Sequence, residues 1–168
     1  KETNPVILKT CTLETIDTYP KDNIKVYTDG SAFKATINAG YGAWIAYPDG
    51  EEMEIAEACG ATCTNYEAEI TAITASCQEI RKYFMSNPSN IKDIVIFTDS
   101  QSTLQAMENN ICDIRGVTNL RDEIQSLISD YEISITLQWV PGHAGIRDYE
   151  KADQLAKKGA KKTTTSTE

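Results

Sequence analysis

The sequence predicts an α/β domain in which a mixed sheet of five strands carries helices on its faces. Two strand-like runs of apolar and β-branched residues end on similar motifs, Thr-Asp-Gly-Ser at 28–31 and Thr-Asp-Ser-Gln at 98–101. The hydrophobic period changes along the chain between about two residues, typical of strands, and about 3.6, typical of helices. The elements follow in the order βββαβααβα, and helical crossovers make the later strands parallel to the first.

The first third of the chain predicts an antiparallel meander. Residues 1–22 show no clear periodicity and are predicted to be a linker or an N-terminal extension. Strands are predicted over about 24–33 and 40–47, and a Pro-Asp-Gly turn at 48–50 leads to a third strand. Residues 52–58 alternate strictly between polar and apolar side chains, as expected for an edge strand with one solvated face.

The second third begins with a long helix. Thr64 and Glu67 form a capping box, in which the Glu67 side chain reaches back to the Thr64 backbone. The helix is predicted to end before the Asn-Pro pair at 87–88. Its apolar stripe, at helical spacing, consists of Tyr66, Ile70, Ile73, Cys77, Ile80 and Phe84.

The remaining elements complete the sheet. They are predicted, in order, as a strand at 94–98, a short helix from about 100, a helix after 116, a strand at 133–139 and a helix at 147–161. Residues 23–162 are thus predicted to be one folded domain, and 163–168, which contain no core-forming residue, a disordered tail.

Composition restricts the partners of the domain. The 168 residues suffice for one domain with a full core, and no stretch has the character of a signal peptide or membrane span. We therefore expect no membrane partner, an intracellular location in the cytoplasm or nucleus, and a monomeric isolated domain. The five cysteines are odd in number and lack metal-binding spacing, so we expect them to be reduced: Cys11, Cys59, Cys63, Cys77 and Cys112.

The formal charge of −9 argues against strong independent binding of nucleic acid, because neutralising phosphates requires clustered Lys and Arg. A nucleic-acid partner would then need bound metal, a neighbouring domain or a local basic patch. The candidate patch, for which a solvated helix face is the alternative, consists of Lys151, Lys157, Lys158, Lys161 and Lys162.

Four acids are predicted to converge. Asp29 and Asp99 follow two neighbouring strands, so both lie at one edge of the sheet. Glu69 lies within the apolar stripe of its helix and faces the sheet. Asp153 lies at the equivalent position on the sheet-facing side of the last helix. Adjacent carboxylates repel unless a cation or proton is shared between them. Each acid alone has the alternative role of a turn or cap residue, but together the four indicate a cation site.

A site made of carboxylate oxygens prefers Mg²⁺ or Mn²⁺ over zinc, which prefers nitrogen or sulfur ligands. Four carboxylates can hold two ions about 4 Å apart, an arrangement that activates water and stabilises a leaving oxygen in phosphodiester cleavage. The sequence therefore predicts a metal-dependent phosphodiesterase. His143, the only histidine, lies in a glycine-flanked loop. It is either a proton carrier near the metals or an exposed loop residue.

The chain resembles type 1 ribonuclease H over about 24–160. The resemblance lies in the motifs at 28–31 and 98–101, in Glu69, and in the segments 139–145 and 150–153. The resemblance implies the ribonuclease H fold, two Mg²⁺ ions with Mn²⁺ as a substitute, and hydrolysis of the RNA strand of an RNA–DNA hybrid. It implies 5′-phosphate and 3′-hydroxyl ends. On this resemblance the metal ligands are Asp29, Glu69, Asp99 and Asp153, and the loop histidine is His143.

The resemblance also implies substrate contacts. Thr64 and Asn65 match positions that hold the DNA phosphate and the minor groove, Gln101 matches a groove-contact position, and Ser31 of the first motif joins them. Such contacts suit the chemistry, since the 2′-hydroxyl distinguishes RNA from DNA in a minor groove.

Two departures from the family pattern narrow the comparison. Tyr149 stands where the family often has Asn, and residues 109–130 are short and not basic where bacterial enzymes carry a basic protrusion. The chain is therefore most similar to the ribonuclease H portion of a retroelement polyprotein of the non-LTR type, with 1–22 joining it to a reverse transcriptase. The alternatives are another nuclease of the same fold and a non-catalytic scaffold domain of a reverse transcriptase.

Overall fold

The computed structural model describes residues 4–32, 39–60, 63–109 and 115–162. Within these ranges, the elements are α1 (Pro5–Asp17), β1 (Ile24–Ala32), β2 (Ala39–Ala46), β3 (Glu52–Gly60), α2 (Asn65–Ser86), β4 (Asp93–Thr98), α3 (Gln101–Glu108), α4 (Arg115–Tyr131), β5 (Ser134–Trp139) and α5 (Arg147–Lys161). The predicted tail at 163–168 lies outside the described residues. Of the helices described, none is both long and apolar enough to cross a membrane.

The sheet has the strand order β3-β2-β1-β4-β5. β1 pairs antiparallel with β2, and β2 with β3, which confirms the predicted meander. β4 pairs parallel with β1 and with β5, so the predicted mixed sheet is also confirmed. Because β1 and β4 run in the same direction, their carboxyl ends meet at one edge of the sheet.

Alternation along the strands divides the core between the two faces of the sheet. On one face, Val26 and Ile96 pack in a cluster with apolar residues of α2 and α4. On the other face, Tyr27 and Phe97 pack with residues of α5 and with Ile16 of α1. Since successive strand residues point to opposite faces, each central strand supplies both clusters.

Close contact between α5 and β2 depends on glycine. A Cβ on Gly42 would lie 2.3 Å from the backbone nitrogen of Ala156, and one on Gly40 would lie 2.0 Å from that of Ala160. Real Cβ contacts are not this short, so the helix can approach the strand only where a side chain is absent. This contact fixes how far α5, which carries Asp153, lies from the sheet.

Residues 1–22, predicted to be a linker or an N-terminal extension without clear periodicity, contain a helix, because Pro5–Asp17 form α1. Pro5 suits the first helical position, and the Asn4 side chain caps the helix by accepting a hydrogen bond from the Val6 amide at 2.9 Å. Thr12 and Ile16 are buried, whereas much of the helix faces solvent. So few buried positions leave no clear helical stripe in the sequence.

The prediction of five reduced cysteines is wrong for Cys59 and Cys63, which form a disulfide. The end of β3 and the segment before α2 bring their Cα atoms to 5.8 Å, a usual separation for a bridge. Cys11 and Cys77 are free thiols, and Cys112 lies outside the described residues.

Candidate active site

Three carboxylates meet where the parallel pairing of β1 with β4 stops, just beyond Tyr27 and Phe97. Asp29, Glu69 and Asp99 each offer one oxygen, and these oxygens lie within 4.8 Å of one another. Asp29 is 8% exposed and Glu69 is 2% exposed, while Asp99 is half-buried. The aspartates come from neighbouring parallel strands, and the glutamate comes from a helix packed on the sheet.

Glu69 reaches the cluster because α2 begins directly against the end of β1. Its Oε1 accepts a hydrogen bond from the Gly30 amide at 2.8 Å, and its Oε2 accepts one from the Thr98 hydroxyl at 3.4 Å. The predicted capping box is confirmed: the Thr64 hydroxyl accepts from the Glu67 amide, and the Glu67 carboxylate accepts from the Thr64 amide. The box leaves Glu69, two residues later, on the buried face.

The cluster carries negative charge that no basic group within it balances. Burial away from water, together with the negative charge of Asp99, raises the pKa of Asp29 to about 7. Burial and the charge of Asp29 also raise the pKa of Glu69 well above its usual value. A cation among these oxygens would remove the repulsion and favour the ionised forms.

Asp153 lies beside this cluster but is not one of the three residues whose oxygens converge. Its Oδ2 lies 2.9 Å from Nζ of Lys157, one turn later on α5. Partial burial opposes ionisation of Asp153, but the hydrogen bond from Lys157 holds its pKa below the usual value. Hydrogen bonding with Asp29 places Asp153 at the edge of the cluster.

A cavity of about 310 Å³ opens beside the acids. His143 lines it together with Asp29, Asp99 and Asp153, so the loop histidine is brought to the site. Its side chain is exposed, and its backbone is left-handed with a φ of 56°. A non-glycine residue in that region is uncommon, although histidine is among the types that adopt it more often.

The residues predicted to contact substrate lie at the same end of the sheet. Ser31 lies near the end of β1 and is half-buried, while Thr64 caps α2. Asn65 and Gln101 are the first residues of α2 and α3, and both are exposed. The Thr64 hydroxyl accepts a bond within its own helix, and a hydroxyl can in addition donate one.

The predicted basic patch is dispersed. Nζ of Lys151 lies 3.7 Å from the centroid of the Trp44 ring, Lys157 pairs with Asp153, and Lys162 pairs with Glu57 at 3.5 Å. Paired or stacked cations offer less charge to phosphates than a cluster of free ones, so the patch gives little support to independent nucleic-acid binding.

The sequence does not predict several residues that line the cavity, among them Thr12 and Tyr149. Thr12 of α1 lines it, because α1 packs beside the histidine loop. Tyr149 lines it too, and its buried hydroxyl contacts the backbone of Thr28 in β1 and of Asp99 directly after β4. For Tyr149, the one signal in the sequence is its departure from the family pattern. For Thr12, the sequence carries no comparable signal.

The family model described as RNase H matches residues 21–161, a range that contains every acid of the site. The chain belongs to the RNase H family. It is 30% identical over 151 residues to Ribonuclease H of Neisseria gonorrhoeae, an alignment that covers 82% of this chain and 94% of that protein. It is 28% identical over 160 residues to Ribonuclease H1 of Rattus norvegicus, where the alignment covers 86% of this chain. The aligned part of the chain spans about half, 53%, of the length of the rat protein.

Solved structures of ribonuclease H1 share the fold. The structure of LC11-RNase H1 in complex with an RNA/DNA hybrid superposes with a TM-score of 0.63 and 19% sequence identity, and the match covers 83% of this chain and 98% of that one. The ribonuclease H-like fold predicted from the sequence is confirmed. The protein is thus an enzyme of the ribonuclease H family, a family of nucleases that depend on divalent metal, and its acidic cluster suits that dependence.

Proposed function

We propose that this protein hydrolyses the RNA strand of RNA–DNA hybrids with divalent cations held by its carboxylates, leaving 5′-phosphate and 3′-hydroxyl ends. The observation that carries the proposal is the convergence of Asp29, Glu69 and Asp99, within 4.8 Å, in a chain of the RNase H family. The relative LC11-RNase H1 was solved with an RNA/DNA hybrid, which supports the choice of substrate.

The donor set fits a hard cation. Asp29, Glu69 and Asp99 supply oxygen only, which Mg²⁺ and Mn²⁺ accept more readily than zinc does. These three residues would hold a cation, and Asp153 at the edge of the cluster would complete the set for two ions. When bound, such ions lower the pKa of water and neutralise charge on the leaving oxygen.

The other residues of the site have roles that their positions allow. His143 is exposed at the cavity, where its imidazole can carry a proton to or from the cleaved phosphodiester. Ser31, Thr64, Asn65 and Gln101 lie at the ends of β1, α2 and α3, where they would contact phosphates and groove edges of a hybrid.

The proposal includes how strongly the domain binds a hybrid and whether it is linked to a second domain. The charge of −9 and the dispersed lysines imply weak binding of a hybrid by this domain alone. A linked reverse transcriptase, as in a retroelement polyprotein, would raise the local substrate concentration, and this origin stays a prediction from the sequence. An intracellular location and a monomeric state are likewise predictions.

The test compares labelled RNA–DNA, RNA–RNA and DNA–DNA duplexes with Mg²⁺ and with a chelator. We expect cleavage of the RNA strand of the hybrid alone, and only with the cation. Asp99→Asn should abolish cleavage while the fold persists, because it removes one metal ligand from the cluster. Asp93→Asn is the matched control, since Asp93 is exposed at the opposite end of the same strand.

Three results would contradict the proposal. These are cleavage that continues in the chelator, equal cleavage of all three duplexes, and near wild-type turnover by Asp99→Asn. A protein that binds the hybrid without cutting it would instead support the alternative of a scaffold domain.

A further inference from the structure

Tyr149 occupies the first turn of α5 and is almost completely buried, with 6% of its surface exposed. Its ring packs among apolar residues of the cluster that includes Ala144 and Ile146, and it meets the Tyr27 ring edge-on at 6.5 Å between centroids. A tyrosine hydroxyl can donate one hydrogen bond and accept another at the same time.

The hydroxyl makes both bonds to backbone groups beside the acids. It donates to the carbonyl of Thr28 at 2.9 Å, directly before Asp29, and accepts from the amide of Asp99 at 2.8 Å. One side-chain atom thus joins the backbone next to the first acid with the backbone of the third. Neither bond involves a carboxylate, so Tyr149 acts on the acids only through the main chain.

The place of this contact in the sheet gives it a specific role. The parallel ladder between β1 and β4 runs from Ile24 opposite Ile94 to Tyr27 opposite Phe97 and ends there. The Thr28 carbonyl and the Asp99 amide are the acceptor and donor of the next bond that such a ladder would form. The hydroxyl lies between them, so the strands separate at the acids and yet remain connected.

The same residue fixes the third element that contributes an acid. Asp153 lies four residues after Tyr149, one turn further along α5. The hydroxyl therefore holds the start of α5 against β1 and β4 and sets where Asp153 approaches Asp29.

We propose that Tyr149 is a positioning residue, whose hydroxyl holds β1 and β4, where their pairing stops, at the separation that the carboxylate cluster needs to bind a divalent cation. This inference rests on the proposed metal-dependent function. Residues that orient metal ligands from outside the ligand shell commonly change cation affinity or activity by about ten- to a hundredfold when substituted.

The test uses Tyr149→Phe in the full chain, which keeps the ring and removes only the hydroxyl. Mn²⁺ binding is measured by calorimetry well below the unfolding midpoint, and hybrid cleavage is measured against Mg²⁺ concentration. We expect a cation affinity about ten- to a hundredfold weaker, with the Mg²⁺ requirement for cleavage raised in parallel. Hydrogen exchange of the Asp99 amide should be faster in the variant, because its acceptor is lost.

The matched control is Tyr47→Phe. Tyr47 is buried to a similar extent, 7% exposed, and stacks on Tyr83 in the cluster on the opposite face of the sheet. Its substitution should leave cation affinity unchanged. If Tyr149→Phe lowers only the unfolding temperature and binds Mn²⁺ as the wild type does, the positioning role is wrong. Because Mn²⁺ binding needs no substrate, a wild-type protein that binds the ion but cuts no hybrid would overturn the proposed function alone.

Discussion

The carboxylate of Glu69 accepts a hydrogen bond from the main-chain amide of Gly30, with 2.8 Å between oxygen and nitrogen. The same amide lies 2.9 Å from Oδ1 of Asp29, so one N–H serves two acids from different elements. Shared donors partly offset the repulsion between buried carboxylates. The contact also requires the backbones of α2 and β1 to be unusually close. The size of the residue at position 30 therefore limits how closely they can approach.

Gly30→Ala should reduce both stability and activity. A Cβ at this position would lie 2.9 Å from Cβ of Ala68 and 3.0 Å from the carbonyl oxygen of Asn65. Because these atoms belong to or adjoin the α2 backbone, the helix must shift and carry Glu69 with it. We expect a loss of about 1–3 kcal/mol in the free energy of unfolding, measured by urea denaturation, and impaired hybrid cleavage.

The control for this substitution is Gly116→Ala. Among the residues that the structure describes, a Cβ on Gly116 would meet only the Ile70 side chain, at an ordinary 3.5 Å, and alanine favours the helix. Stability should therefore be unchanged or slightly higher. If Gly30→Ala behaved like the control, the close contact between α2 and β1 would be absent in solution.

Gly142→Ala should separate activity from stability. A Cβ on Gly142 would lie 2.6 Å from Oδ2 of Asp99, and its other nearest contacts, at 3.5 and 3.6 Å, are in the same side chain. The carboxylate can turn away at little cost to folding, but it then leaves the cluster. We expect a change below about 1 kcal/mol in unfolding free energy and a clear loss of Mn²⁺ affinity by calorimetry.

Gly42→Ala gives the opposite pattern and serves as the comparison. Its Cβ would collide with backbone atoms of α5 at 2.3 and 2.7 Å, which cannot move independently of the helix. Unfolding free energy should fall markedly. A Gly142→Ala variant that is strongly destabilised, or that binds Mn²⁺ as the wild type does, would contradict this account of the Asp99 side chain.

Most of the sheet and the acids of the site could be predicted because each depends on a local pattern. Alternation predicts the strands, and the position of Glu69 within the apolar stripe of α2 predicts that it faces the sheet. The parallel direction of β1 and β4 predicts that Asp29 and Asp99 lie at the same edge of the sheet. These inferences need only the geometry of single helices and strands, and the rule that strands joined by a helical crossover run parallel.

The features that escaped prediction depend on contacts between elements distant in sequence. α1 packs through few buried residues, and the hydroxyl of Tyr149 finds its partners 50 and 121 residues away. The pairing of Asp153 with Lys157 is local, but a helical i, i+4 pair does not indicate that it borders a site. The disulfide depends on the approach of Cys59 in β3 to Cys63 before α2, which the sequence does not specify.

Without metal, the contribution of Asp29 to stability should be lost as pH rises. The pKa of Asp29 is about 7 in the folded state and near 3.8 in the unfolded chain, so folding binds its proton more tightly. That contribution to stability is complete below about pH 3.8 and is lost progressively as pH rises to about 7. Glu69, whose pKa is also raised, acts in the same direction.

Thermal melts between pH 4 and 8 check this prediction by comparing the wild type with Asp29→Asn. The variant cannot ionise at this position, so its unfolding temperature should fall less over about pH 4–7. Saturating Mg²⁺ should raise the wild-type unfolding temperature most at the upper end, because a cation binds the ionised carboxylates. A wild type without metal whose pH profile matched that of Asp29→Asn would contradict the raised pKa.

Ile16→Ala should destabilise the protein although residue 16 lies before the region that the family model matches. Ile16 is 6% exposed and packs with Val140, Ala144 and Ile146, which surround the histidine loop. Removing a buried isoleucine side chain typically costs about 2–5 kcal/mol, and the loop that carries His143 loses part of its support. We expect a lower unfolding free energy in urea together with slower hybrid cleavage.

Leu13→Ala, on the same helix but 40% exposed, should change stability by less than about 1 kcal/mol. Equal effects of the two substitutions would mean that α1 does not pack against the loop through Ile16.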